Sequence, residues 1–170
     1  MDRQAVGIAD TDASPDRSVG IDVDVVEQPS AASPAIVRIG FRNDALETRR
    51  FSFGAVVPFG PLSNGGTDQP QVSLVPVGET RGAGHYCDRI PDSPGSTGWR
   101  IEGDVLRLMS ETICRLRSGE TLAGTYGLFW HRPPSDPPRS MEFRFEAEWR
   151  ELHEDRTRSE YAWGFSLRVE

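Results

Sequence analysis

The chain has 170 residues, 36% of them hydrophobic, and a formal net charge of −7. That length is enough to bury the core of one domain without a metal or a disulfide. An acidic surface repels nucleic-acid phosphates and anionic lipids, and no apolar run approaches the roughly 20 residues that a membrane helix needs. We therefore expect no nucleic-acid partner and no membrane insertion.

All 19 basic residues are arginine, so the chain contains no lysine. This absence excludes Schiff-base chemistry, pyridoxal attachment, a Walker-type phosphate loop and a lysine general base. Codon usage in a genome rich in G and C explains such a composition. Arginine with excess carboxylate also suits a salt-rich environment, in which hydrated carboxylates keep a protein soluble.

The first part of the chain is polar, acidic and aperiodic. We predict that residues 1–17 form a mobile tail and that residues 18–170 form a single domain. The first residues lack the basic and apolar regions of a secretory signal. This predicts a cytoplasmic location as written, or an extracellular or cell-surface location if the true start lies upstream.

Apolar residues at every second position predict strands over most of the remaining chain. The clearest pattern is at 141–149, where Phe143, Phe145 and Trp149 alternate with charged residues. Successive side chains of a strand point to opposite faces, so this period indicates strands with one buried and one solvated face. In chain order, the predicted strands are 19–26, 35–42, 48–57, 71–77, 112–117, 121–131, 141–149 and 161–169.

Two segments are less regular. Pro76 favours an edge position for strand 71–77, because proline has no N–H to donate to a neighbouring strand. The apolar pattern of residues 102–110 resembles that of a strand but also fits a short helical turn. No segment shows a sustained period of 3.6 residues, so we expect very little helix.

This order of short strands and turns predicts an all-β protein. The expected fold is an immunoglobulin-like antiparallel two-sheet β-sandwich of 7–9 strands. Residues 78–104 are rich in Gly, Pro and Ser and form a long loop insert, and loops of that length tend to be functional or poorly ordered. Because rigid sandwiches place recognition on their loops, we expect another protein to bind through loops 58–70 and 78–104.

Two motifs carry a family resemblance. Residues 116–126 place a Gly-Glu turn before a strand with Tyr126 near its start, and 34–43 followed by 51–54 has the order strand, Asn turn, strand. Both resemble immunoglobulin-like domains. Together with the missing lysines, the chain is similar to small immunoglobulin-like domains of unknown function from halophilic archaea. It is more weakly similar to BsuPI-type intracellular proteinase inhibitors.

The resemblance covers residues 18–170 and indicates a fold, but it does not indicate a function. The insert at 78–104 departs from the compact pattern of such domains. We expect an interaction or structural module without catalytic residues or a cofactor, and hence not an enzyme. The alternatives are a small-ligand or metal-binding sandwich that uses the 81–87 loop, and a proteinase-inhibitor-like domain.

The two cysteines and two of the histidines are candidates for more specific chemistry. Cys87 and Cys114 could form a disulfide in an exported protein, which would connect the insert to a strand, or could stay reduced. His85, Cys87, Cys114 and His131 are suitable zinc ligands by residue type. The paired Cys-x2–4-Cys spacing of structural zinc is missing, however, so we predict no metal.

Hydrolytic chemistry has little support in the sequence. No Gly-x-Ser-x-Gly motif is present, and His153 lies in a predicted hairpin loop among charged residues. The carboxylates of Glu142, Glu146 and Glu148 fit the solvated face of a strand better than a glycosidase pair, because arginines are interleaved with them.

Overall fold

The computed structural model describes residues 4–64, 70–80, 91–96, 98–105, 109–136 and 138–170. Within these ranges the protein is all-β, and none of the described residues forms a helix that could span a bilayer. The strands are β1 (Val6–Thr11), β2 (Val19–Glu27), β3 (Ile36–Asn43), β4 (Arg49–Phe53), β5 (Leu62–Ser63), β6 (Val72–Pro76), β7 (Thr112–Leu116), β8 (Thr121–Trp130), β9 (Met141–Leu152) and β10 (Arg158–Val169).

The strands form two antiparallel five-stranded sheets. The first sheet has the order β1-β10-β9-β4-β7 and the second has the order β2-β3-β8-β6-β5. The two sheets also approach each other at their sides, where β1 lies beside β2 and β5 lies beside β9. The predicted all-β two-sheet sandwich is therefore confirmed.

The core lies between the sheets and is built from the alternating apolar residues. On β9 the odd-numbered side chains from Phe143 to Glu151 are buried, whereas Glu142, Glu146 and Glu148 are exposed. Phe41 of β3 occupies the centre and packs edge-on against aromatic rings of the opposite sheet. Its neighbours there are Phe51, Phe53 and Trp149, with ring centroids 5.0, 5.1 and 5.3 Å away.

The prediction of a mobile tail over 1–17 is wrong, because Val6–Thr11 forms β1 and pairs with β10. Reciprocal backbone hydrogen bonds of 2.8 and 2.9 Å join Ala5 to Glu170. The side chain of Gln28 also bonds both backbone groups of Val6. Apart from Val6, the strand buries little of its surface, so its apolar pattern gave no signal.

Three other predictions are corrected in detail. The described residues contain ten strands instead of 7–9, because β1 and the two-residue β5 lie in segments predicted as tail and loop. Residues 102–105 and 109–110 form neither strand nor helix. β6 is not an edge strand, since it lies between β8 and β5. However, β5 pairs only with Ser73 and Leu74, so among the described residues no strand pairs with Pro76 on the side of β5.

The described part of the 78–104 insert packs against β8. Trp99 and Ile101 are buried and form a small second cluster with Val75 and Phe129. Arg100 forms an isolated parallel bridge with Trp130. The insert thus extends the second sheet at one end of the sandwich.

Candidate functional site

A cavity of about 510 Å³ opens at the end of the sandwich where the insert packs. We call it the end cavity. Turns and strand ends that are far apart in sequence contribute to its wall: the start of β1, the β2–β3 turn, the insert, the end of β8, the β8–β9 loop and the end of β10. The lining residues are Gln4, Val6, Pro29, Ser30, Ala31, Ala35, Pro94, Ser96, Gly98, Trp99, Leu128, Trp130, Pro133, Pro134, Ser135 and Val169.

Two tryptophans determine the shape of the end cavity, and both are fixed by hydrogen bonds or ring contacts. The backbone N–H of Trp130 donates to Trp99 at 2.9 Å, and Ile101 donates to Trp130 at 2.8 Å. The indole N–H of Trp99 donates to the carbonyl of Ser30 at 2.9 Å, which connects the insert to the β2–β3 turn. The ring of Trp130 packs edge-on against Phe143 at 5.5 Å. The cavity is therefore preformed.

The chemistry of the end cavity is mainly apolar. Its deep wall consists of aliphatic and small side chains such as Ala35, Leu128 and Val169, and its rim carries prolines with the hydroxyls of Ser96 and Ser135. An apolar cavity with a few polar groups at the rim is typical of sites that bind an apolar group in a fixed orientation. Among the described residues that line the end cavity, none is acidic, basic or a histidine.

The residues that the sequence suggested for a metal site are not brought together in the described structure. His85 and Cys87 lie outside the described residues, so the proposed Cys87–Cys114 disulfide and the 81–87 loop do as well. Cys114 is buried on β7 of the first sheet, whereas His131 follows β8 of the second sheet. Within the described ranges, no group of three or more His, Cys, Asp or Glu residues could hold a metal ion.

Loop 58–70 differs from a freely exposed contact loop over its described part. Pro58, Phe59, Pro61 and Leu62 are buried, and Phe59 packs among the core aromatics. Residues 65–69 lie outside the described ranges. In the other predicted contact loop, 78–104, the residues Pro94, Ser96, Gly98 and Trp99 line the end cavity.

One Ser–His pair lies between β5, β6 and β8. The Oγ of Ser73 is 2.8 Å from Nε2 of His131 and 2.7 Å from Oγ of Ser63. Burial lowers the pKa of His131, the charge of Asp104 opposes this effect, and the charge of Arg132 adds to it. Ser73 is 0% exposed, so a substrate cannot reach its hydroxyl. The pair satisfies buried polar groups where three strands meet.

A second Ser–His pair lies on the β9–β10 hairpin. Nε2 of His153 is 2.7 Å from Oγ of Ser159, and its Nδ1 is 4.0 Å from Oε1 of Glu151. This order resembles a nucleophile, base and acid. The carboxylate of Glu151, however, binds Arg49 through both oxygens, at 2.7 and 2.5 Å. None of these four residues lines the end cavity.

No protein-family model matches this chain, and no curated protein is significantly similar to it in sequence. Its function has to be inferred from its own residues and their geometry.

The end cavity was not predicted from the sequence. Trp99 and Trp130, which line it, are both buried. A tryptophan inside a loop rich in Gly, Pro and Ser was the available signal, because such a residue needs an apolar surface to pack against.

Proposed function

We propose that this protein is a non-catalytic binding module with an immunoglobulin-like β-sandwich, which recognises another protein through the end cavity. The observation that carries the proposal is the anchored insert: Trp99 and Ile101 are buried against β8, and Trp99 lines an apolar cavity beside Trp130. A loop that only connected two strands would not need to bury a tryptophan beside an open space.

The size and chemistry of the end cavity favour an apolar side chain of a partner protein as the occupant. Its volume of about 510 Å³ exceeds that of any single side chain, so it also accommodates the flanking backbone. The rim hydroxyls of Ser96 and Ser135 are exposed and can bond that backbone. Apolar anchors in preformed pockets with a polar rim supply most of the affinity in protein interfaces.

The proposal is tested by filling the end cavity. Ser96→Trp and Ser135→Trp place an indole at its mouth from two independent segments, and neither removes a core contact because both serines are exposed. Ser118→Trp is the matched control, since it lies on the β7–β8 turn at the opposite end of β8. Proteins that co-purify with the wild type and the control should be lost with both filled variants. Retention of the same proteins by the filled variants would contradict the proposal.

A small apolar molecule is the second candidate ligand, because the volume of the end cavity lies within the ~300–1,000 Å³ that is usual for small-molecule sites. The two candidates are distinguished by mass spectrometry of the protein purified from its host under native conditions. A bound compound that disappears in Ser135→Trp supports the small-ligand function. Co-purifying proteins with no bound compound support protein recognition.

The acidic, lysine-free composition supports a salt-rich setting for this module. With a net charge of −7, self-repulsion weakens as ions screen the carboxylates. Thermal denaturation should occur at a higher temperature in about 2 M KCl than in about 0.1 M KCl. An equal or lower melting temperature at high salt would contradict this setting.

A further inference from the structure

In the middle of the first sheet, one edge of β9 is largely without backbone hydrogen bonds to another strand of the described structure. β10 pairs with β9 along its entire length, from Met141 to Leu152. On the other side, β4 pairs only with residues Arg150–Leu152. β4 ends at Phe53, after which the chain crosses to the second sheet and forms β5. Among the described residues, no strand therefore pairs with this edge of β9 over residues 141–148, although β5 of the second sheet approaches β9 without bonding it.

The backbone groups that face this open edge can be identified from the hydrogen bonds on the other side of β10. Glu170, directly after β10, bonds Ala5, the residue before β1, and Gly164 accepts from Asp12, the residue after β1. The even-numbered residues of β10 therefore direct their backbone groups towards β1. The odd-numbered residues of β10 therefore direct their backbone groups towards β9. In an antiparallel sheet they exchange hydrogen bonds with the residues opposite them, which are the odd-numbered residues of β9. The N–H and C=O groups of Glu142, Arg144, Glu146 and Glu148 therefore point to the open edge.

A groove of about 560 Å³ runs along this edge, between β9 and the crossing segment. We call it the β9 groove. Its lining residues are Gly54, Pro58, Phe59, Gly60, Leu62, Ser63, Arg144, Glu146, Ala147 and Glu148. The side towards the core is apolar, and the side towards solvent carries charged side chains. Among the described residues, no backbone hydrogen bond from outside β10 reaches residues 141–148 of β9.

The charges beside the groove define which strand would fit it. Glu142, Glu146 and Glu148 project from the solvent face of β9. Arg144 is neutralised by an ion pair with Asp12. Glu146 and Glu148 make no ion pair within the described part of the chain. In the registers that pair Glu146 with Glu146 or Glu148 of a second copy of β9, like charges face each other directly, which is destabilising.

We propose that the β9 groove binds an extended segment of another protein as an additional strand, with arginine or lysine on its outer face and apolar residues on its inner face. The backbone groups of Arg144, Glu146 and Glu148 would form the ladder with the added strand, which is the usual basis of recognition by strand addition. Basic residues at alternate positions would lie opposite Glu146 and Glu148. The apolar residues between them would face Phe59, Leu62 and Ala147.

The probe for this proposal is a seven-residue peptide, blocked at both ends, in which arginine alternates with valine. The control peptide has glutamate in place of every arginine, so both have the same strand propensity on their apolar face. We expect the arginine peptide to bind the full chain at least ~10-fold more tightly at physiological salt, as measured by fluorescence anisotropy. The variant Glu146→Arg with Glu148→Arg should reverse this preference.

Amide hydrogen exchange shows where the peptide binds. On addition of the arginine peptide, the exchange rates of the Arg144, Glu146 and Glu148 amides should fall at least ~10-fold, because these N–H groups become hydrogen-bonded. The amides of Phe145 and Ala147 already bond β10 and should change little. Glu146→Pro should weaken binding, because proline removes one edge donor without removing a bond to β10, and Glu146→Ala is its control.

The test does not depend on the folding of Glu146→Pro. If that variant unfolds, the charge-reversed variant (Glu146→Arg with Glu148→Arg), which retains every backbone N–H, still tests the proposal. Equal affinity for both peptides, or binding without slower exchange at the even-numbered amides, would overturn the proposal. Slow exchange at those amides without peptide, together with a concentration-dependent dimer in sedimentation, would assign the groove to a second copy and would also overturn it. Ser135→Trp should leave peptide binding unchanged, so this proposal and the proposed end-cavity function fail separately.

Discussion

The hydroxyl of Tyr126 makes two hydrogen bonds with the backbone of Phe59. It donates to the carbonyl oxygen at 2.8 Å and accepts from the N–H at 3.2 Å. Tyr126 is fully buried on β8, and Phe59 lies where the chain crosses between the sheets. Burial raises the pKa of Tyr126, so the hydroxyl remains protonated and can donate. This contact fixes the crossing segment that borders the β9 groove.

Tyr126→Phe should therefore lower the free energy of unfolding by about 2–3 kcal/mol, because the substitution removes two buried hydrogen bonds and leaves both backbone groups of Phe59 without a partner. Urea denaturation measures the change. Tyr161→Phe is the control, since Tyr161 is half-buried and its hydroxyl makes no hydrogen bond among the described residues. The control should change stability by less than about 0.5 kcal/mol. Equal losses in the two variants would refute the role of the Tyr126 hydroxyl.

A buried ion cluster joins the segment before β2 to β4 and β9. Arg49 donates to both oxygens of Glu151 and, at 2.5 Å, to Asp16, and its side chain is only 9% exposed. Arg49→Met leaves two buried carboxylates without their cation and should cost about 3–5 kcal/mol near neutral pH. Arg150→Met removes an exposed ion pair with Glu160 and should cost less than about 0.5 kcal/mol. Similar losses of stability in Arg49→Met and Arg150→Met would show that burial does not determine how much an ion pair contributes.

The same cluster makes the cost of Arg49→Met depend on pH. Burial raises the pKa of Asp16, but the hydrogen bond and charge of Arg49 and the backbone N–H of Ser18 together lower it below 3.8. Asp16 therefore contributes stability above pH 3.8, and this contribution is lost as the pH falls through the lowered folded pKa. The difference in stability between wild type and Arg49→Met should shrink between about pH 7 and about pH 3. A difference independent of pH would contradict the account.

The sequence predicted those parts of the fold in which one face of a strand is buried. Residues 141–149 alternate because their odd-numbered side chains enter the core, and a period of two follows directly. β1 was not predicted because neither of its faces is buried along its length. Only Val6 of that strand is buried, and Ile8 is 36% exposed, so backbone pairing with β10 and the side chain of Gln28 hold it in place. Such strands leave no hydrophobic period.

Neither the end cavity nor the β9 groove could be predicted from local patterns. Trp99 and Trp130 meet only because the insert folds back on β8, and their separation in sequence carries no signal of that contact. The groove depends on where β4 ends. The apolar pattern predicted a strand over 48–57, whereas pairing stops at Phe53 and the apolar residues that follow enter the core from the crossing segment. Burial continues there, so the pattern does not reveal the change of sheet.

His131 should make the protein less stable in mild acid. Burial lowers its pKa below 6.5, so in this range the unfolded chain binds more protons than the folded one. Stability therefore falls as the pH drops below 6.5, until the folded His131 is also protonated. His131→Gln can still bond Ser73 but does not titrate. Its melting temperature should decline less than that of the wild type between about pH 7.5 and about pH 5.5. Equal declines would exclude His131 as a source of the pH dependence.

Two buried tryptophans provide a matched comparison of a satisfied and an unsatisfied donor. Trp149 and Trp163 are each 2% exposed. The indole N–H of Trp163 donates to the carbonyl of Asp12 at 2.9 Å, whereas that of Trp149 has no hydrogen-bond partner within the described structure. Substitution by phenylalanine removes a similar volume at both positions. Only at position 149 does it also remove a buried donor that costs about 1–3 kcal/mol.

Trp149→Phe should therefore be less destabilising than Trp163→Phe by at least about 1 kcal/mol, as measured by the midpoint of urea denaturation at constant slope. Both rings stack on aromatic neighbours, Trp149 on Tyr161 and Trp163 on Phe59, so lost ring contacts affect the two variants in the same direction. If Trp149→Phe proves the more destabilising variant, its indole N–H must have a partner in solution. In that case we expect the acceptor to be an ordered water molecule in the cavity that Trp149 lines together with Ser110 and Glu111.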